Sequence, residues 1–520
     1  MSTTVENERR PVASIDPASG EVWRRWAACT DHDVAAAVDR ARSAQPAWAG
    51  RSLRDRARIL SRFRERLFAG RTELAALIER ETGKPAAEAM VADVITTLDA
   101  ARYCARHARR VLAPRTTVPS NIALWRKRVV VSHEPYGVVG IISPWNYPLL
   151  LPASTALAAL VAGNAVIIKP SELTSATAVR LGELLRESGV PDEIAQVLPG
   201  DGVTGAALAN AAIDKLFFTG SAATGRKVAV ACAQRLVPCA LELGGSDPAV
   251  VLDDAHLDTA VSGILWGRFT NAGQTCVAPK RVIVLDAVHD AFVERLTAAV
   301  ARLVVGPATN GSDVGPMIRP AQVDLLESQL RDAEERGARV LGAGRGRGHF
   351  FAPTIVAGVT RDMRVAREET FGPLLAVIRV RDDDEAVTVA NDTEFGLSAS
   401  VWSRDLTRAR RIAQRIAAGT VHINDVVSVV GMADVPHGGI KQSGTGRLHG
   451  EAGLRECVRE KAIVVDPFPS WRQPWWFGYG GEHARNIDAF ARLWHGRTLR
   501  ERLSGVRRTI RLLLSRERAI

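Results

Sequence analysis

Gly137-Val138-Val139-Gly140-Ile141-Ile142-Ser143-Pro144 is the stretch on which the fold turns. A short, unbroken apolar run that stops at a polar turn reads as a strand buried on both faces. The pattern returns at Ala165-Val166-Ile167-Ile168, which stops at Lys169-Pro170, and at Lys215–Thr219, which stops at Gly220-Ser221. Helix-like stretches separate the runs: Ala153–Ala162, Ala176–Ser188 after the second run, and Ala222–Ala233 after the third. Short strand-like runs follow at Ala195–Leu198 and Cys239–Leu243. Strands alternating with helices describe a parallel α/β sheet, whose ligands sit at the carboxyl ends of the strands. The residues just after each strand are therefore the informative ones.

Working outward, a second α/β alternation runs from about Ala249 to Ile440, with strands at Arg281–Leu285, Leu374–Val380 and Thr420–Ile423. Ahead of the first sheet, Asp31 to about Arg110 has helical periodicity broken at Gly83-Lys84-Pro85. Asp16–Gly20 reads as a turn between extended segments, and residues 1–12 are expected to be disordered.

A chain of 520 residues implies two or three domains, and 46% hydrophobic with 24% charged residues is ordinary globular composition. Six cysteines without a CxxC pair fit a reducing compartment and argue against a disulfide framework or a metal site. The first fourteen residues lack the apolar run of a signal peptide, and no apolar stretch reaches 18 residues. The expected location is the cytoplasm, with a peripheral membrane contact allowed by the tail. The net charge of +11 is concentrated there: residues 471–520 hold eleven arginines against four acids, a net +7.

Four strand-end segments carry chemistry. In Phe269–Cys276 a cysteine follows a small, polar, glycine-containing stretch, which suits a reactive loop thiol, although a free cysteine is more often a small core residue. In Leu241–Gly245 a carboxylate, Glu242, sits between two leucines. Apolar surroundings would raise its pKa towards that of a general base; the plainer reading is a solvated turn. In Ser143–Pro148 the Asn146 amide could donate to a developing oxyanion, or the segment is an ordinary turn. In Phe218–Gly225 a strand runs through Gly220 into a helix whose first N–H groups could face a phosphate, a signal that is weak alone.

Together these segments resemble the aldehyde dehydrogenase superfamily, over about residues 12–466. Further matching segments are Gly163-Asn164-Ala165 leading to Lys169–Glu172, Glu368–Pro373, Asn391-Asp392 with Phe395–Leu397, and Pro436–Arg447. The resemblance implies two Rossmann-like parallel-sheet domains and a small β oligomerisation arm. The expected division is residues 12–118 and 135–244 for NAD binding, 245–440 for catalysis, 119–134 and 441–466 for the arm, and 467–520 for the tail. It implies that Cys276 attacks the aldehyde carbon to form a thiohemiacetal, that Asn146 and the Cys276 N–H hold the oxyanion, and that hydride leaves for the nicotinamide. Glu242 then activates water to hydrolyse the thioester. Lys169, Ser171 and Glu172 match the adenosine-ribose site; Gly220, Ser221 and Gly225 match the pyrophosphate turn. Glu369 and Phe371 match the nicotinamide-ribose site, with Trp145 beside the nicotinamide. A salt bridge to Arg364 or Arg367 is the plainer role for Glu369. Tyr147, Leu150 and His437 match a substrate tunnel.

Glu172 would accept from a 2′-hydroxyl and repel a 2′-phosphate, so the expected cofactor is NAD, with NADP admitted through Lys169 and Ser171. Arg128–Ser132 and Ala462–Val465 match an arm that pairs with a neighbouring subunit, implying a homodimer or homotetramer. Thr275–Pro279 is similar to enzymes of medium- or long-chain apolar aldehydes; semialdehydes and betaine aldehyde stay open. Three positions depart from the family pattern: Ser246 stands where many members have Lys, His437 replaces the usual Phe, and the tail runs past residue 466. A CoA-acylating relative would lack Glu242, and a non-catalytic binding protein on this fold would have no need of Cys276, Glu242 and Asn146 together.

The tail opens with Trp471, Trp475, Trp476, Phe477 and Tyr479, then places Leu499, Leu503, Val506, Ile510 and Leu513 at helical spacing among Arg500, Arg507, Arg508, Arg511 and Arg518. That is the pattern of a helix lying on an anionic membrane surface. The competing reading packs the helix on its own catalytic domain or on a partner subunit; nucleic acid is a poorer third, as no binding motif accompanies the charge.

Overall fold

The computed structural model describes residues 11–121, 124–468, 473, 476–477 and 479–514. The first sheet has six strands, in the order Gly444–Thr445, Cys239–Glu242, Lys215–Thr219, Val138–Ile142, Ala165–Lys169, Ala195–Val197. All pair in parallel except Gly444–Thr445. Every residue of Val138–Ile142 and Ala165–Lys169 is buried, which is why these strands read as continuous apolar runs. The chain starts this sheet at Val138–Ile142, builds outward on one side, then returns to build on the other. Strand order thus reverses between Val138–Ile142 and Lys215–Thr219, where an open α/β sheet leaves its ligand crevice.

The second sheet has seven strands, in the order Arg339–Leu341, Thr354–Ala357, Leu374–Val380, Pro279–Leu285, Asp247–Val251, Ser398–Trp402, Thr420–Ile423; only Arg339–Leu341 pairs antiparallel. Each sheet has its own core. Trp48, Leu60, Phe63, Leu157 and Ile167 belong to the first; Val282, Phe292, Phe351 and Ile355 belong to the second.

The helical N-terminal region forms Asp31–Ala49, Leu53–Ala69, Arg71–Thr82 and a run from Ala86 to Leu112. A π-helical turn at Met90–Ile95 interrupts that last run and carries the buried Asp93. Thr30 opens the first helix with a capping box to Asp33. Pro11 and Val12, expected to be disordered, instead begin a strand, Pro11–Ile15, paired antiparallel with Val22–Ala27 around the expected turn; residues 1–10 lie outside the described residues.

Both parallel sheets lie in one compact unit, residues up to Leu112 together with Glu134–Arg459; Ala113–His133 and Glu460 onward form the other. This corrects the expected arm. Residues 441–459 belong with the first sheet, because Gly444–Thr445 extends it beside Cys239–Glu242. The arm is a three-stranded sheet in the order Val458–Val465, Arg128–Pro135, Arg115–Thr117, tied by Lys127 to Asp466 at 2.7 Å.

The tail forms two helices, Gly481–His495 and Leu499–Leu514, joined by Gly496–Thr498 and packed on each other. Gly505 makes the approach close: a Cβ there would lie 2.1 Å from the Ala489 carbonyl oxygen. Asn486, Ala489, Thr509 and Leu512 are buried between them. The anticipated apolar stripe faces away from that contact. Leu499 is 73% exposed, Leu503 62% and Ile510 51%, while Val506 is half-buried. Trp471, Trp475, Arg518 and the Leu513 side chain lie outside the described residues. Among the described residues, no helix is long and apolar enough to cross a membrane.

Candidate active site

The loops that follow Val138–Ile142 and Lys215–Thr219 meet the Glu242 strand end and the Cys276 loop around a cavity of about 210 Å³. Its wall includes Trp145, Asn146, Gly220, Ser221, Glu242, Cys276, Glu369 and Phe371, all singled out from the sequence. Pro144, Leu151, Thr219, Leu243, Gly244 and Gln322 complete it. Trp145 and Phe371 stand edge to face across 5.6 Å.

The cysteine loop is held tightly. Asn271, Ala272 and Gly273 take successive positive φ values of 50°, 52° and 71°. Positive φ is strained for alanine and easy for glycine, and a Cβ at Gly273 would also lie 2.4 Å from the Gly372 carbonyl oxygen. Asn271 Nδ2 donates to the Asn146 carbonyl at 3.0 Å, and Asn146 Nδ2 donates to the Gln274 carbonyl at 3.1 Å. Ile318 N–H donates to Gln274 Oε1 at 2.9 Å. The oxyanion-donor candidate and the nucleophile candidate are therefore bonded through one loop. Burial pushes the Cys276 thiol up to about 12, a shift that nearby Lys280 opposes. Lys280 Nζ donates to the carbonyls of Thr275, at 3.1 Å, and of Cys276.

Glu242 is 7% exposed, and its Oε1 has no hydrogen-bond partner. Burial raises its carboxyl well above the usual range; Arg447 counteracts this and Glu456 adds to it. The Pro436–Gly439 segment backs this carboxylate, since a Cβ on Gly438 would lie 2.9 Å from Oε1. Glu369 turns inward, accepting from Gly245 N–H at 3.1 Å, with burial raising its carboxyl against the pull of Lys280 and Arg268. The surface ion pair belongs to its neighbour Glu368, with Arg364 at 2.7 Å, while Arg367 pairs with Asp392. Arg268 holds the loop from behind through the carbonyls of Thr370, at 3.0 Å, and Gly372.

Ser221 caps the helix Ala222–Gln234 by accepting from Thr224 N–H, which leaves first-turn N–H groups at the cavity edge. Gly225 is buried in that helix. Lys169 ends the adjacent strand, Ser171 and Glu172 follow it, and none of the three lines the cavity. Ser171 caps the turn Glu172–Thr174. Glu172 is not a free carboxylate: Arg319 Nη2 lies 2.5 Å from its Oε1. A cavity at the sheet's switch point, with a helix N-terminus and the Glu369 carboxylate at its wall, fits a nicotinamide dinucleotide.

The three expected tunnel residues do not line this cavity. Tyr147 is buried with its hydroxyl 2.6 Å from Thr275 Oγ1, Leu150 is buried in its helix, and Leu151 takes the wall position. His437 is buried, exchanging backbone hydrogen bonds with Leu448 at 2.8 and 2.7 Å. Ser246 is buried, its carbonyl held by Arg281 at 2.8 Å. The sequence reading missed Arg268, Lys280 and Arg319. Only a cation four residues after the cysteine was visible as a signal, for Lys280.

The model of the aldehyde dehydrogenase family matches residues 4–463. A 4,4′-diapolycopene aldehyde oxidase of Methylomonas sp is 36% identical, over 92% of this chain and 90% of that protein. An NAD-dependent aldehyde dehydrogenase from Sinorhizobium meliloti superposes with a TM-score of 0.86 at 37% identity, covering 90% of this chain and 93% of that one. An E. coli NADP-dependent enzyme gives 0.84 at 36%, covering 88% and 95%. The chain belongs to the aldehyde dehydrogenase family and is an NAD(P)-dependent enzyme that oxidises an aldehyde to a carboxylic acid.

Proposed function

We propose that Cys276 is the nucleophile, Asn146 the oxyanion donor and Glu242 the hydrolytic base, acting on an apolar medium- or long-chain aldehyde. The observation carrying this reading is the convergence of all three on one cavity wall. The Cys276 thiol loses its proton as sulfur bonds to the aldehyde carbon, giving a thiohemiacetal. Asn146 Nδ2 carries two hydrogens and uses one on Gln274, so the second is available to the oxyanion, alongside the Cys276 N–H. A nicotinamide held by these residues would supply the acceptor for the hydride that leaves the substrate carbon. Glu242, kept basic enough by burial, then takes a proton from the water that hydrolyses the Cys276 thioester.

Lys169, Ser171 and Glu172 would hold the adenosine ribose; Gly220, Ser221 and the helix start with Gly225 would hold the pyrophosphate. Glu369 and Phe371 would hold the nicotinamide ribose beside Trp145. Of the wall residues not assigned to the cofactor or to the chemistry, Leu151 and Leu243 are apolar side chains in support of an apolar substrate. A relative named for a long polyene aldehyde is in keeping with this. The deciding assay follows NADH at 340 nm over alkanals, succinate semialdehyde and betaine aldehyde, with and without CoA. Alkanals should give the highest kcat/KM without a CoA requirement. Cys276→Ala should abolish turnover, and Glu242→Gln should keep the NADH burst but lose steady turnover. Normal turnover by Cys276→Ala would sink the assignment.

The edge strand Val458–Val465 exposes Ile463, Val464 and Val465, and pairing with a second copy would bury it, supporting a homodimer or homotetramer. The tail hairpin, with Trp476, Phe477, Tyr479, Trp494, Leu499 and Leu503 exposed on a basic body, suits a peripheral seat on an anionic membrane.

A further inference from the structure

We infer that Arg319 opens the adenosine-ribose subsite to a 2′-phosphate, so that the Glu172–Arg319 pair, and not Glu172 alone, sets cofactor choice. The inference rests on the cofactor reading above, which places that ribose at Lys169 and Glu172.

A lone carboxylate beside the ribose 2′ position accepts from a hydroxyl and repels a phosphate dianion. Here Glu172 Oε1 lies 2.5 Å from Arg319 Nη2, so the pair is close to neutral. Among the described residues, Glu172 Oε2 is met by Ser171 Oγ alone, at 3.4 Å, which leaves it able to accept from a 2′-hydroxyl. Lys169 sits within electrostatic reach of Glu172, Asp201 and Arg319 and adds a second cation. Of the two acids, Asp201 is committed to capping the helix Gly202–Asn210 through Val203 N–H at 2.8 Å.

The anchoring of Arg319 also suits a selective role. Its backbone precedes the helix Pro320–Glu335, of which Gln322 lines the cavity. The preceding residue, Ile318, is pinned to Gln274 in the cysteine loop. The guanidinium itself is half-exposed, with 46% of the side chain accessible, and Glu172 keeps 34%. A fixed backbone with a side chain at the rim lets Arg319 exchange the carboxylate for a phosphate, to which its planar fork binds through two parallel hydrogen bonds. Glu172, released, stays in contact with water. With NAD bound, Arg319 stays on Oε1 and Oε2 takes the 2′-hydroxyl. With NADP bound, Arg319 and Lys169 grip the phosphate.

The test is calorimetric titration of the full chain, without turnover, using adenosine 5′-monophosphate and adenosine 2′,5′-bisphosphate as probes. The wild type should bind both, with Kd values within about tenfold. Arg319→Ala should weaken the bisphosphate by about tenfold or more, the scale of one lost charge-assisted contact, and change the monophosphate by less than about threefold. Arg319→Lys should fall between, keeping the charge without the fork. An unchanged ratio of the two affinities in Arg319→Ala would overturn the inference, as would a wild type that binds the monophosphate and rejects the bisphosphate. Lys169→Ala separates this failure from that of the underlying reading. If it weakens both probes while Arg319→Ala does nothing, Arg319 alone is wrongly assigned. If Lys169→Ala leaves both probes untouched, the ribose is not bound here and both readings fall.

Discussion

The side-chain amide of Asn146 donates a 3.1 Å hydrogen bond to the carbonyl of Gln274, two residues before Cys276. The proposed oxyanion donor is thus fixed to the loop of the proposed nucleophile before any substrate arrives. Asn146→Ala should lower kcat by about 10²–10³, the usual cost of one such donor, with a smaller change in KM. Steady-state NADH formation checks this. A raised KM with unchanged kcat would mean that Asn146 binds substrate and transition state alike.

Beneath that loop, Lys84 and Asp93 form a fully buried ion pair at 3.1 Å. Lys84 also donates to the Asn146 carbonyl at 2.6 Å, and Asp93 accepts from the N–H groups of Leu149 and Leu150. Lys84→Met strands the carboxylate and should cost about 3–5 kcal/mol in urea unfolding. Lys84→Met combined with Asp93→Leu should recover part of the loss. A surface-sized effect below about 0.5 kcal/mol would contradict the buried pairing.

Because burial pushes the Cys276 thiol up to about 12, its thiolate fraction in the substrate-free enzyme grows through the whole alkaline range. Carbamidomethylation of Cys276, followed by peptide mass spectrometry, should quicken by about tenfold per pH unit from pH 7 to 10. A plateau below pH 9 would show a thiol already activated without cofactor.

His437 and His449 lie with ring centroids 6.0 Å apart, and burial lowers them to about 3 and about 4. An unfolded histidine titrates near 6.5, so below that pH the unfolded chain binds more protons than the folded one. The stability these neutral rings allow is complete above about pH 6.5 and is lost as pH falls towards their folded values. The urea midpoint should therefore drop between pH 7.5 and pH 5, and His437→Phe should flatten the drop. An identical pH slope in the variant would remove His437 from the explanation.

The hairpin helices bury Ala489 and Leu512 and leave Leu499, Leu503 and Ile510 outward. Full-length protein should pellet with anionic vesicles and much less with neutral ones, and a truncation after Asp466 should pellet with neither. Added salt should weaken the binding, since screening reduces the arginine contribution. Equal pelleting of both forms would refute a membrane-docking tail.

The two parallel sheets were legible because buried parallel strands leave unbroken apolar runs and the helices between them repeat every three to four residues. The proposed catalytic residues Glu242 and Asn146 were legible for a related reason, since Glu242 ends a strand and Asn146 lies just after one, and such ends are short, local signals; Cys276 stands instead on the loop between the helix Leu257–Phe269 and the strand Pro279–Leu285. The expected tunnel residues Tyr147, Leu150 and His437 carry no such local mark and stand outside this cavity's wall. Whether Leu150 or Leu151 faces the cavity depends on how one helix is rotated against its sheet, and neighbouring apolar residues carry no mark of that.

Local periodicity thus determined the element types and their order, because backbone geometry imposes periods of 2 and 3.6 on any chain that buries one face. Partnerships across long separations were decided only in three dimensions. Glu172 meets Arg319 across 147 positions, Lys84 meets the Asn146 carbonyl across 62, and Gly444 pairs with Glu242 to carry the expected arm segment into the first sheet. The direction of the tail's apolar stripe is of the same kind: Gly505 lets two helices approach on the opposite face. Such contacts depend on the summed path of every element in between, so a residue's own neighbours in the chain cannot reveal whether a charge will stand alone, be paired, or be buried.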